Sequence, residues 1–323
     1  MLRLVSAGAA FPALIIDSKE LENLQPALIG QDLVRLGGGI VSRGSILNPE
    51  YLHRTKNTDP WQSKDELSAA PSDLTFKAVE LALERAGITA DQIGLIIGET
   101  ISPMETTPGE GQRVGKRLNI KVPAYDVISG SSALLHYLSV ISRWNEESIP
   151  DYVLFVSANT PTQRTRYDQG SEGLYFGDCC SAMIVSSRKP GRLEVRDIKC
   201  SLRAAPPGAC EFDLYGTARL NPEAAASFVL SKAREILNKL KPELPGSFVI
   251  LPQFSPQVVA TLCDEFGIAP ANCWSNVGNR GFTLGSGTLS VLAERWQQLG
   301  RDGQVIVCDV GLGGGYGYAV LKI

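Results

Sequence analysis

The chain has 323 residues, 44% of them hydrophobic and 20% charged, with a formal net charge of −3. This is a globular composition, large enough for two domains or one double domain. The near balance of charge argues against a nucleic acid or anionic lipid as partner, and no apolar run reaches the roughly 18 residues of a membrane-spanning helix.

In chain order, the run MLRLVSAGAAFPALII reads as a first strand and not as a signal peptide, because Pro12 interrupts it and polar, acidic sequence follows. Segments 30–65 and 160–175 are polar and Gly- or Thr-rich, and read as loops of the kind that shape the entrance to a site. Asp73 is placed to cap a helix that buries Phe76, Val79, Leu83 and Ala86 and ends at Gly87. The strand IGLIIGET (93–100), a helix near 109–118, a strand at 124–128, a helix from 131, and the strands DYVLFVSA (151–158) and FGDCCSAMIVSS (176–187) follow. Lys189-Pro190-Gly191 makes a turn that divides the chain into halves 1–188 and 189–323.

The second half has a similar order. Strand LEVRDIKCSL (193–202) precedes a helix that Asn221 caps and Pro222 opens, with Val229, Ala233, Ile236 and Leu240 on its buried stripe. Strand SFVILPQF (247–254), a helix from Pro256, a helix near 284–298 and the strands QVIVCDVG and GYGYAVLKI complete it. Strands alternating with helical periodicity predict an α/β fold with a largely parallel sheet, built from a duplicated unit.

Seven cysteines, at 179, 180, 200, 210, 263, 273 and 308, lack the paired spacing of a zinc or redox site and read as reduced, mostly buried thiols. With only His53 and His136 as imidazoles, no metal site is expected. The chain is expected to be soluble and cytoplasmic. AYDVISGSSALLHYLSV (124–140) runs from a strand into a helix through four small residues, Ser129 to Ser132, which sets Ser131 at a helix tip. His136 lies five residues on, about 140° round that helix, and is a poor base for Ser131.

Six blocks, LVSAGAAFPALIIDSKEL, AGITADQIGLIIGET, YDVISGSSALLHYLSV, YFGDCCSAMIV, NVGNRGFTLGSGT and GLGGGYGYAVLKI, resemble in order and spacing the signatures of ketoacyl-acyl-carrier-protein synthase III, of the thiolase superfamily. The resemblance spans essentially the whole chain. It implies a five-layered αβαβα fold of two similar thiolase-like halves, an obligate dimer, no permanently bound cofactor, and work on acyl thioesters of coenzyme A or of acyl carrier protein phosphopantetheine.

In that family a cysteine opens the helix after this strand, where the helix dipole lowers its thiol pKa, and a histidine and an asparagine from the second half assist it. At the cysteine position, counted from Asp126, this chain has Ser131, whose hydroxyl gains too little from a dipole to ionise near neutrality and needs a base. Gln253 stands at the histidine and cannot accept and return a proton. Phe282 stands at the asparagine, or Asn279 takes that place in a gapped register, and Val258 replaces an arginine that helps hold coenzyme A. Gly314 matches the backbone oxyanion donor; the same glycines also suit close packing beside the last strand. With all three catalytic positions changed, the comparison implies a non-condensing subunit, either a homodimer or a heteromer with a catalytic paralogue. The alternative is a serine-dependent acyltransferase using Ser131.

Overall fold

A computed structural model describes residues 1–103, 105–213 and 216–323. Its strands are β1 (Arg3–Ala10), β2 (Leu14–Asp17), β3 (Ser42–Ser45), β4 (Ile93–Glu99), β5 (Ala124–Asp126), β6 (Tyr152–Asn159), β7 (Cys179–Ser186), β8 (Leu193–Leu202), β9 (Cys210–Phe212), β10 (Ala218–Leu220), β11 (Phe248–Ile250), β12 (Cys273–Trp274), β13 (Gln304–Val310) and β14 (Gly315–Lys322). The helices are α1 (Ser18–Leu24), α2 (Leu33–Leu36), α3 (Pro49–Thr55), α4 (Pro71–Ala86), α5 (Glu110–Leu118), α6 (Ala133–Ile141), α7 (Glu172–Tyr175), α8 (Pro222–Leu240), α9 (Pro256–Phe266), α10 (Val277–Arg280) and α11 (Gly287–Arg295). Among the described residues, no helix is long and apolar enough to cross a membrane.

Ten strands form one sheet in the order β12-β11-β13-β14-β8-β1-β7-β6-β4-β5. Strands from the first 188 residues lie on one side of the β1–β8 junction, which is made by Arg3 opposite Glu194 and Leu4 opposite Leu193. Helices α4 and α5 cover the outside of the first side, and α8 and α9 cover the outside of the second. Between the two sides lie α6 and α11, whose Leu134, Leu138, Leu289 and Leu292 share one apolar cluster with residues of both. The result is the five-layered αβαβα arrangement.

The sheet corrects the expected largely parallel order. β4, β5 and β6 are parallel, as are β11, β12 and β13, but the centre is antiparallel. The reason is connection length: only Gly311–Gly314 join β13 to β14, too short for the crossover that parallel pairing demands. Pro12 likewise splits the expected first strand into β1 and β2.

Local signals fared unevenly. Asn221 caps α8, its side chain accepting from the Ala224 N–H at 3.1 Å, and Val229, Ala233, Ile236 and Leu240 are buried as the periodicity predicts. On α4, however, the cap is Ala70 and Pro71 opens the helix, while Asp73 sits in the first turn and pairs with Arg117 at 2.6 Å. Its buried stripe is Leu74, Ala78, Val79 and Ala82, and Phe76 instead lies half-buried under the Arg117 guanidinium. Segment 30–65 is not a plain loop: it contains α2, β3 and α3 and is laced to the second half, with the Val41 N–H on the Gly278 carbonyl and the Gln257 N–H on that of Gly38.

Candidate functional site

The turn before α6 carries the site. The helix begins at Ala133 with Ser132 as its first flanking residue, so Ser131 stands outside the helix. Ser131 has a left-handed backbone, φ 78°, a conformation that costs a non-glycine residue about 1–2 kcal/mol. The helix starts two residues later than the expected 131, and the turn aims the Ser131 hydroxyl toward the Gly-rich loop. There the Leu312 N–H donates to Ser131 Oγ at 2.9 Å and the Gly313 N–H to the Gly130 carbonyl at 2.8 Å. Backbone lies directly on backbone: a Cβ on Gly130 would come within 2.4 Å of the Gly313 Cα.

Gly314 has its N–H bonded to the Gly311 carbonyl at 2.9 Å, so the group expected to serve as an oxyanion donor has a partner within its own loop. The neighbouring N–H that reaches the serine belongs to Leu312. If the Ser131 hydroxyl acts as a structural acceptor, Ser131→Ala orphans a buried N–H. The expected loss is about 1–3 kcal/mol of unfolding free energy, read by urea denaturation.

Gln253 is held in place. Its Nε2 donates to the Leu251 carbonyl at 2.7 Å, and its Oε1 accepts from Ser275 Oγ at 2.9 Å and the Asn276 N–H at 3.2 Å. Phe282 packs edge-on against Phe254 and stacks on Phe176, and it shares an apolar cluster with Leu284 and Leu312. Asn279, the other register, is exposed on α10, while Phe282 lies in the buried cluster. Val258 is a buried apolar residue of α9. The three positions are closed off, with 4% of Ser131, 4% of Gln253 and 5% of Phe282 exposed.

The two imidazoles do not reach Ser131. His53 pairs with Glu20 on the surface at 2.9 Å. His136 Nδ1 lies 3.0 Å from Ser132 Oγ, its ring near Cys200 Sγ, in space that exists because residue 315 is glycine; a Cβ there would meet the ring at 2.1 Å. Burial pushes the His136 pKa down, which favours the neutral ring.

One residue here was not singled out from the sequence. Glu99 ends β4 on the same face as Ile97, beneath α6, and is fully buried. Its Oε2 accepts from Ser157 Oγ at 2.6 Å and from Asn159 Nδ2 at 2.9 Å; its Oε1 has no partner among the described residues. Burial pushes its carboxyl pKa up, and the Ser129 hydroxyl, itself without a closed hydrogen bond, faces it. The signal in the sequence was a charged residue two places after Ile97, at an inward position of an apolar strand.

No protein-family model matches the chain. Among curated proteins it is 29% identical over 171 residues to the beta-ketoacyl-acyl-carrier-protein synthase III of Chlamydia caviae, covering 50% of this chain and 51% of that one. It is 27% identical over 283 residues to synthase III 3 of Streptomyces coelicolor, covering 78% and 84%. The chain spans about half the length of the first curated relatives it matches. Among solved structures, the 3-oxoacyl-acyl-carrier-protein synthase III of Aquifex aeolicus superposes over 100% of both chains with a TM-score of 0.83 at 18% identity. The chain is similar to ketoacyl synthase III in sequence and in fold. A tetronic acid condensing enzyme superposes on the chain equally well, at 19% identity and a TM-score of 0.83 over 100% of both chains.

Proposed function

We propose that this synthase III-like chain is a non-condensing subunit that works on or beside acyl thioesters of coenzyme A or acyl carrier protein, in fatty-acid, polyketide or related biosynthesis. In this reading it pairs with a relative that carries an intact cysteine, histidine and asparagine. The observation that carries the reading is the state of Ser131. Its hydroxyl accepts a hydrogen bond from the Leu312 N–H, and no acid or base side chain bonds it among the described residues. An alcohol without a proton acceptor is a weak nucleophile. The Gln253 amide supplies none, and Phe282 offers only an apolar face. A buried core supports a chain that keeps its shape and contributes surface to a partner, and obligate interfaces of that kind bury about 2,000 Å² or more.

The test is co-expression with an intact homologue encoded nearby, followed by mass analysis of the assembly and a condensation assay of each chain alone and together. The expected outcome is a mixed assembly, with no condensation by this chain alone and more by the pair than by the partner alone. Homodimers only, beside a partner fully active by itself, overturn the partner role. For the alternative, acyl transfer through Ser131, the prediction is opposite: rapid stoichiometric acylation that disappears in Ser131→Ala.

A further inference from the structure

We propose that Glu99 and Ser129 form an acid–base and nucleophile pair, and that Ser129, not Ser131, is the residue of this chain that accepts an acyl group from a thioester. The inference rests on the reading that acyl thioesters still reach this site; it does not depend on the partner role.

The geometry points to Ser129 because its hydroxyl adjoins the Glu99 carboxyl and each group keeps one buried polar atom without a partner. Glu99 Oε1 and Ser129 Oγ are both enclosed and without a hydrogen-bond partner among the described residues. Native interiors rarely leave such groups unpaired, and each costs about 1–3 kcal/mol unless a function retains it. The other carboxylate oxygen is fixed by Ser157 and Asn159, and Ser286 Oγ donates to the Ser157 carbonyl at 2.9 Å behind them. A rigid backing of this sort orients a base. Room for the carboxyl exists because residue 285 is glycine, since a Cβ there would lie 2.5 Å from Glu99 Oε2. Ser131, by contrast, is engaged with Leu312. Ser129 itself is 4% exposed, and the chain reaches the surface at the adjoining residue, Ile128, which is 76% exposed.

The step balances with these groups alone. Ser129 Oγ attacks the thioester carbonyl carbon as its proton passes to the Glu99 carboxylate, forming the C–O bond. The tetrahedral intermediate then collapses with cleavage of the C–S bond, and the leaving sulfur takes the proton from Glu99. The products are a seryl ester and a free thiol, with Glu99 again a carboxylate. A carboxyl whose pKa is raised by burial is a stronger base than a free one, and a positioned base contributes about 10²–10⁴-fold.

The experiment is intact mass and peptide mapping of the full chain, with any co-purifying partner, after incubation with acetyl-, octanoyl- and malonyl-coenzyme A. The expected result is one acyl group per chain mapped to Ser129. It should be absent in Ser129→Ala, retained in Ser131→Ala, and formed about 100-fold or more slower in Glu99→Gln. Because Glu99→Gln alters a buried group, its circular dichroism and urea midpoint are measured alongside, and Ser129→Ala carries the inference if that variant does not fold. An adduct on Ser131, an unchanged rate in folded Glu99→Gln, or no adduct with any thioester overturns the proposal. Failure here leaves the condensation assay untouched, and a condensing chain would overturn the non-condensing reading whatever Ser129 does.

Discussion

Asp178→Ala is expected to remove about 3–5 kcal/mol of stability. The Asp178 carboxyl accepts from the Ile46 N–H at 2.8 Å, the Thr162 N–H at 2.9 Å and Thr162 Oγ1 at 2.5 Å. It thereby ties the segment after β3 to the turn after β6. Alanine orphans two buried backbone donors, each worth about 1–3 kcal/mol, and leaves the Thr162 hydroxyl with Ser45 Oγ at 2.8 Å alone, with incomplete additivity because they share one site. A pH dependence accompanies it. Burial outweighs these three donors and raises the Asp178 pKa to about 7, and burial raises that of Asp309 to about 7 as well. In the unfolded chain both fall near 4. A carboxyl that holds its proton in the fold while the unfolded chain has lost it contributes stability that is full below about pH 4. That contribution declines as pH rises toward 7, by about 1.4 kcal/mol per unit for each group. Urea unfolding between pH 4.5 and 8 of the parent and of Asp178→Asn measures this. The parent's stability should fall more steeply with pH than the variant's, and parallel curves would show that Asp178 is ionised throughout.

Gly130→Ala should cost about 2–5 kcal/mol and open the turn that holds Ser131. Two terms add: a left-handed backbone, φ 58°, which disfavours any Cβ by about 1–2 kcal/mol, and a 2.4 Å clash with the Gly313 Cα, backbone that no side-chain rotation relieves. Gly246→Ala is the control, since Gly246 is also left-handed, φ 78°, but a Cβ there would have nothing within 4 Å. It should show the first term only. Hydrogen exchange of the Leu312 and Gly313 amides reads the local effect, with faster exchange in Gly130→Ala and parental rates in Gly246→Ala. Equal stability of the two variants would mean that the two loops separate without cost.

Much of this architecture was legible from local pattern. The α8 stripe, the Asn221 cap followed by Pro222, the helix start at Pro256 and the left-handed Gly87 all follow from residues a few places apart, where 3.6-residue periodicity and capping chemistry act directly. Asp73 misled because Pro71 outranked it as the start of α4. The chemistry open to residues 131, 253 and 282 was also legible, because it is fixed by identity: a glutamine offers no proton transfer in any fold.

By itself, then, the sequence determined the chemistry available at each position and the helices that short-range pattern dictates. Only the tertiary structure decided the antiparallel centre of the sheet, the left-handed Ser131, the bond from the Leu312 N–H across 181 residues of chain, and the unpaired faces of Glu99 and Ser129. The physical reason is that a hydrogen bond or a clash depends on which groups packing brings within about 3 Å. For distant segments that is settled by how the sheets and the central helices stack, and not by the residues on either side.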